Sequence, residues 1–539
     1  MSVRNGIVPL LALSALLFLP ACGSNNATHP VAPPSGNFSN SNLNGTYVFS
    51  VSGVDQGNGA PYAIAGTITA NGNGGITGGA FDINDEDTAE FGNGPIANIA
   101  INNNGTYHVN VDGRGLITFG TSSIQNFPNL TLDFVLSSSS AGLVTEFDTF
   151  GSGSGTIDLQ AANTTPTGSY AFSLSGGNAS GAPLATVGNF TLTGSAMAGA
   201  DDLNEGVVAF PAQALTGSLV LGPSATPSTT LSTPAFSGTF DVFAVDSTHL
   251  KFIEMDLTAD LVGDAYSQAS PTFPTASLAF TLQGETSAAV PLAAGGVMTP
   301  GSGGAISGTE DFNENGTSSA APSPFTATLT ADTTNAGRYT LGSFATFVGG
   351  SAYAAYPSSG GVLLLEIDSA GITTGAAYAQ TANATFAAGQ GYGLNLTGVF
   401  LPSSVTGATA TQVYDIAEFT ANSTGNTITG LIDETSGGGI VGSGVPFSNG
   451  AYTAPSGGRG SITANASTSS SSTLNGGFAL TFYTVDGTTF PFIESDNGQV
   501  AAGVFLLQNP TASGAAASQS HMFTATPLIR PHAAHQKKN

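Results

Sequence analysis

Along most of the chain, apolar and small polar residues alternate with a period of two, in short runs broken by Gly, Asn, Asp and Ser. Such alternation marks half-buried β-strands, because successive side chains of a strand point to opposite faces. One run recurs four times: Tyr47-Val-Phe49-Ser-Val51-Ser-Gly53, Tyr170-Ala-Phe172-Ser-Leu174-Ser-Gly176, Leu278-Ala-Phe280-Thr-Leu282-Gln-Gly284 and Tyr392-Gly-Leu394-Asn-Leu396-Thr-Gly398. Each copy is followed by an acidic segment that reads as a turn. These are Gly79-Ala-Phe-Asp82-Ile-Asn84-Asp85, Gly199-Ala-Asp-Asp202-Leu-Asn204-Glu205, Gly308-Thr-Glu-Asp311-Phe-Asn313-Glu314 and the degenerate Gly430-Leu-Ile-Asp433-Glu434. A third motif closes each copy: Glu146-x-Asp148, Glu254-x-Asp256, Glu366-x-Asp368 and Glu494-x-Asp496. A Gly follows each Asp at a fixed spacing (Gly155, Gly263, Gly375, Gly503), and a Gln follows each Glu (Gln160, Gln268, Gln380, Gln508). Four equal spacings define a repeat.

The repeat divides the chain into modules at 43–160, 166–268, 274–380 and 388–508, with a tail at 509–539. Each is domain-sized, far longer than a solenoid repeat, and can bury its own core. The fold expected is all-β: four tandem antiparallel modules of about seven or eight strands, each a small barrel or a sandwich. Consecutive hairpins with few crossovers favour the barrel. Short linkers holding Pro or Thr (161–166, 270–274) suggest modules strung like beads. A circular shift of the true units, with Ser520 to Thr526 as a closing strand, is the alternative to these boundaries.

Composition narrows the function. Eight Lys plus Arg stand against 34 Asp plus Glu, a net charge of −26. So few cations cannot neutralise a run of phosphates, so nucleic acid is excluded as a partner. The single Cys rules out an internal disulfide and any Cys-based zinc site. No His-Glu-x-x-His, Gly-x-Ser-x-Gly or phosphate-binding Gly loop ending in Lys is present, and nothing calls for a cofactor.

Residues 1–22 have the layout of an export signal: Arg4, an apolar stretch from Ile7 to Leu19, then Leu19-Pro20-Ala21-Cys22. They resemble the lipobox of bacterial lipoproteins. The resemblance implies cleavage before Cys22, lipid on that residue, and a membrane partner through the lipid. Gly23 after the Cys implies the outer membrane. The alternatives are a plain secretory signal cut after Ala21 and a transmembrane anchor, and against the anchor the apolar run is shorter than the roughly 20 residues that span a bilayer. Residues 23–42, rich in Asn, Ser and Pro, read as a flexible tether.

In Glu-x-Asp both carboxylates fall on one strand face. Occurrence in all four modules favours structure over catalysis, with Asp accepting backbone N–H groups at a hairpin turn and Glu meeting a cation or hydroxyl. Arg114, Arg338 and Arg459 occupy comparable mid-module positions, and Lys251 lies close before Glu254 in the module that lacks the Arg. One internal cation per module, paired with its Glu or its acidic-turn Asp, is the expectation. Asp311, Asn313 and Asn315 resemble the opening of a calcium loop, but Pro322 stands where the loop's closing Glu belongs, which makes them weak ligands. His108 and His249 read as structural. The function expected is a structural, adhesive or surface-interaction role at the cell envelope, with a surface glycan or protein as partner. The alternative is a glycan- or small-ligand-binding lipoprotein that uses a barrel mouth or an inter-module groove.

Overall fold

The computed structural model describes residues 36–511 except 56–58, 86–93, 121–129, 163, 223–227, 345–350, 382–383, 402–409 and 467–476. Cys22, the 23–35 part of the tether and the Ser520–Thr526 segment lie outside these residues. Apart from two single 3-10 turns, every regular element described is a β-strand.

Each module is an up-and-down barrel of eight antiparallel strands. In barrel 2 the strands are Ser169–Gly177, Pro183–Thr193, Ala196–Glu205, Val208–Ser218, Thr229–Ser232, Ser237–Ala244, His249–Glu254 and Val262–Ser267. The last strand pairs with the first, Leu174 opposite Gly263, and closes the ring. Barrel 4 closes the same way, Gly391–Phe400 against Gln499–Leu507. In barrels 1 and 3 the ring also closes first strand on last, Asn44–Asp55 on Gly151–Leu159 and Leu278–Thr286 on Gly371–Ala379. Each of these two carries an extra short strand, Ile96–Ala100 or Thr317–Ser318, beside the third strand of the ring. The closing pairs thus lie within 43–160, 166–268, 274–380 and 388–508, without a circular shift. Full closure removes the edges that an open sheet would expose.

The alternation decides the two faces. In barrel 2, Tyr170, Phe172 and Leu174 join the interior cluster with Phe190, Phe240 and Phe252, whereas Ala171, Ala185 and Val187 face outward. Each of the four interiors is filled by such a cluster. Three further clusters lie between barrels. Val48, Ala63 and Ala65 of barrel 1 meet Phe243, Ile253 and Val262 of barrel 2. One cluster runs across barrels 2, 3 and 4. Val135 and Leu143 of barrel 1 meet Ile416, Val504 and Leu506 of barrel 4.

The barrels are therefore not beads on a string: they pack as a ring, 1 on 2, 2 on 3, 3 on 4 and 4 back on 1. Small outward residues such as Ala63, Ala65, Ala171 and Ala185 let neighbouring sheets approach. Closure brings the two ends of the described chain together, where Asn42 Nδ2 donates to the Pro510 carbonyl at 2.9 Å.

Candidate functional site

The recurrent polar residues fall into two groups, one inside the barrels and one in the seams between them. Each Asp of Glu-x-Asp sits at the turn after the seventh ring strand and accepts two backbone N–H groups. Asp148 takes those of Thr131 and Phe150, and Asp256 those of Thr239 and Thr258. Asp368 takes those of Ala352 and Ala370, and Asp496 those of Ala479 and Gly498. One carboxylate thereby ties the sixth strand to the last hairpin.

The Glu two residues earlier is buried in every barrel. Glu254 accepts from the Thr258 hydroxyl and Glu366 from the Thr373 hydroxyl. Burial pushes Glu254 up to about 8 and Glu366 up to about 7. Burial, with Asp148 or Asp496 adding to it, holds Glu146 and Glu494 well above the ordinary range. None of the four meets the module's cation among the bonds described.

The closing Gln belongs to the seams. Gln160 Nε2 donates to the Ala244 carbonyl of barrel 2, and Gln268 Nε2 to Pro357 and Gly337 of barrel 3. Gln380 Nε2 donates to Thr484 of barrel 4, and Gln508 Nε2 to Asp112 and Leu136 of barrel 1. Each Gln thus reaches the next barrel, the fourth returning to the first.

The acidic segments are not turns. They lie within the third strand of each ring, with Asp82, Asp202, Asp311 and Asp433 on the outer face. Two positions on, Asn84 Nδ2 donates to Ala259, Asn204 Nδ2 to Glu366 and Gly371, and Asn313 Nδ2 to Glu494, Asp496 and Gln499. All these acceptors are backbone carbonyls of the following barrel.

The arginines answer from the other side, and this corrects the expectation of cations held within their own modules. Arg338 of barrel 3 forks onto Asp202 of barrel 2, Nε to Oδ2 at 2.7 Å and Nη2 to Oδ1 at 2.6 Å, while its Nη1 reaches Asp332 at 3.0 Å. Arg459 of barrel 4 forks onto Asp311 of barrel 3 at 2.7 and 2.9 Å. Arg114 of barrel 1 reaches Asp433 of barrel 4 at 2.8 Å and Asp112 at 3.1 Å. Tyr356 and Tyr483 donate their hydroxyls to Asp202 and Asp311 at 2.6 and 3.0 Å. Bidentate charge-assisted pairing of this kind fixes direction as well as distance. The Asp faces outward because strand parity puts it opposite the core residues Phe81, Leu203 and Ile432, so its partner has to come from another barrel.

The seam between barrels 1 and 2 departs from this plan. There Asp82 accepts the Asn98 N–H at 2.6 Å. Burial, with Asp241 of barrel 2 beside it, pushes it up to about 8. The cation of that seam is Lys251. Its Nζ lies 2.6 Å from Thr156 Oγ1 and 3.3 Å from Asp158 Oδ2 of barrel 1, and 3.0 Å from Asp264 Oδ1 of its own barrel.

The calcium-like residues are engaged by protein: Asp311 by Arg459 and Tyr483, and Asn313 by barrel 4, with its Oδ1 accepting the Gly316 N–H. Asn315 takes a left-handed backbone conformation at the hairpin turn. Among the described residues no group of three or more His, Cys, Asp and Glu is placed to hold a metal ion. His249 Nε2 lies 2.7 Å from Asp264 Oδ1, and His108 Nε2 lies 3.0 Å from Asn110 Oδ1. Sequence reasoning missed Asp158, Asp264, Asp112, Tyr356 and Tyr483 as seam residues. The aromatic Tyr at the same strand position in barrels 3 and 4 was the available signal.

Neither the family models nor the curated proteins contain a match to this chain. Among solved structures, the chain is similar to transferrin binding protein B from Neisseria meningitidis at 10% identity, covering 69% of this chain and 84% of that one, with a TM-score of 0.17. It is likewise similar to a transferrin binding protein B mutant from Haemophilus parasuis at 9% identity, covering 89% and 99%, with a TM-score of 0.18. Overlap this low carries no inference about function. The repeat and its seams are the features on which one can rest.

Proposed function

We propose that this chain is an exported, lipid-anchored scaffold that presents a rigid ring of four β-barrels at the cell envelope, in a structural, adhesive or surface-interaction role. The observation that carries this reading is that all four interiors are filled by the same kind of aromatic and aliphatic cluster. The conserved-spacing carboxylates, amides and cations are spent on hairpins and seams, not gathered in one cleft. A catalytic or ligand-binding protein is expected to set one module apart with a concave site of convergent polar groups. The alternative, a glycan or small ligand held in a barrel mouth or inter-module groove, meets interiors and seams already occupied by the chain's own side chains among the described residues. The lipobox-like segment supports the anchor, with the outer membrane as its destination and a surface protein or glycan as partner.

Expression of the full chain in a diderm bacterium with a radiolabelled fatty acid tests the anchor. The wild-type chain is expected to carry label in the membrane fraction, and Cys22→Ala to lose it. Protease treatment of intact cells should degrade the anchored ring only if it faces outward. An unlabelled wild-type chain recovered in the cytoplasm overturns the reading.

A further inference from the structure

Three of the four seams are closed by a guanidinium and the remaining one by an amine. That difference has chemical consequences, because an amine can be acylated and a guanidinium in a salt bridge resists it. We propose that Lys251 Nζ and the Asp158 carboxyl become joined by an isopeptide bond that covalently links barrel 2 to barrel 1, with Asp264 carrying the proton.

The geometry places all the reacting groups together. Nζ is 3.3 Å from Asp158 Oδ2 on the last strand of barrel 1, and 3.0 Å from Asp264 Oδ1, the cross-strand neighbour of Lys251 in barrel 2. The Lys251 side chain is fully buried and Asp158 nearly so. Thr156 Oγ1 lies 2.6 Å from Nζ and 3.4 Å from Asp158 Oδ2, bridging amine and carboxyl. His249 Nε2 holds Asp264 at 2.7 Å, and its ring stacks on Tyr266. An apolar cluster of Val48, Ala63, Ala65, Phe243, Ile253 and Val262 packs in the same seam. Reactants held at near-attack distance in a dry site gain much of what a bimolecular reaction loses in entropy.

The two acids divide the roles. Although burial raises it, Asp264 is held below the ordinary carboxylate range by Lys251 and His249, so it stays ionised as the base. Asp158 is the acyl partner. Burial alone would lower the amine, but the two carboxylates hold it protonated, so the first event is transfer of a proton from Nζ to Asp158. That transfer neutralises two buried charges at once. The Nζ lone pair then attacks Cγ of the protonated carboxyl and forms the C–N bond. Asp264 takes a proton from nitrogen and returns it to the departing hydroxyl. The C–O bond breaks and one water leaves, so acid plus amine gives amide plus water without any oxidant or co-reactant.

Lys251 is the only lysine among the described residues, the other two being Lys537 and Lys538 in the tail, which makes the test direct. The purified full chain is denatured, digested with trypsin and then with a second protease, and mapped by mass spectrometry. The expected result is no tryptic cleavage after Lys251, and a branched peptide pair containing residues 158 and 251 that is one water lighter than the two peptides apart. Lys251→Arg keeps the charge and cannot be acylated, and Asp264→Asn keeps the acyl partner but removes the base. Each is expected to restore the missing water in a folded chain. Cleavage after an unmodified Lys251 in the wild type, or a water loss that maps to Asp264 or survives in Lys251→Arg, overturns the proposal.

Discussion

At the scale of single residues, several carboxyl groups are buried with no cation paired to them among the described residues. Burial raises Asp201 to about 7, with the Thr186 hydroxyl opposing the shift and Asp202 adding to it. Asp82, Glu254 and Glu434 stand near 8 and Glu366 near 7 for the same first reason, loss of water around the charge. An unfolded chain sheds these protons near pH 4, whereas the native chain keeps them. Between those values the native state binds more protons, so stability falls as pH rises. Asp332 moves the other way: burial raises it slightly, but bonds from Asn335 and the charge of Arg338 take it down to about 2. Its contribution is present above pH ~4 and is lost as pH drops toward 2. Thermal melts from pH 3 to 9 are therefore expected to show the highest Tm near pH ~4–5, with a decline through pH 8 that Glu146 and Glu494, held well above the ordinary range, prolong. A Tm that is level or rising between pH 5 and 8 would contradict this account. The carboxylates were plain in the sequence, and Val144, Phe252, Leu364 and Phe492 on the same strand face as each Glu point to its partial burial. That the burial is complete was not legible, because parity assigns a face and not how fully that face is covered.

At the scale of elements, the recurring glycines mark where strands pass too closely for a side chain. A Cβ on Gly155 would stand 1.7 Å from the Ser50 carbonyl oxygen, and one on Gly263, Gly375 or Gly503 would stand 2.0 Å from the first-strand oxygen of Ser173, Thr281 or Asn395. These four positions pair the last strand with the first, so closure of each ring depends on them. Gly375→Ala is expected to cost about 1–3 kcal/mol through overpacking. Gly78→Ala, where a Cβ meets nothing within 4 Å, is expected to change stability by under ~1 kcal/mol. Urea titrations of the two variants compare them, and equal midpoints would remove the role in closure. The strand alternation was legible: the predicted run Tyr170–Leu174 lies inside the observed strand Ser169–Gly177. The acidic segments were misread because Asp and Asn are common turn residues. Here Asp202 and Asn204 stay in a strand, with backbone N–H groups of a bulge (Ala212) and carbonyls of the next barrel as their partners.

At the scale of the whole molecule, the ring arises from one interface used four times with one substitution of chemistry. Gln reaches forward to the next barrel and Arg reaches back to the previous one in the seams 2–3, 3–4 and 4–1, and Lys251 replaces the fork in seam 1–2. A compact body of this length has a radius of gyration of about 24 Å. Small-angle scattering is expected to give a value near that and a maximum dimension of about two barrels. A rod-like profile four barrels long would show that the seams do not hold in solution. The all-β class, the four copies and the recurring residues are legible in the chain alone, because strand period and repeat spacing are local properties. That the small outward faces are interfaces, that each cation serves a neighbouring module and that barrel 4 returns to barrel 1 emerge with the folded molecule. Those outcomes depend on which surfaces meet, and residues more than 300 positions apart, such as Arg114 and Asp433, carry no mark in the chain of being partners.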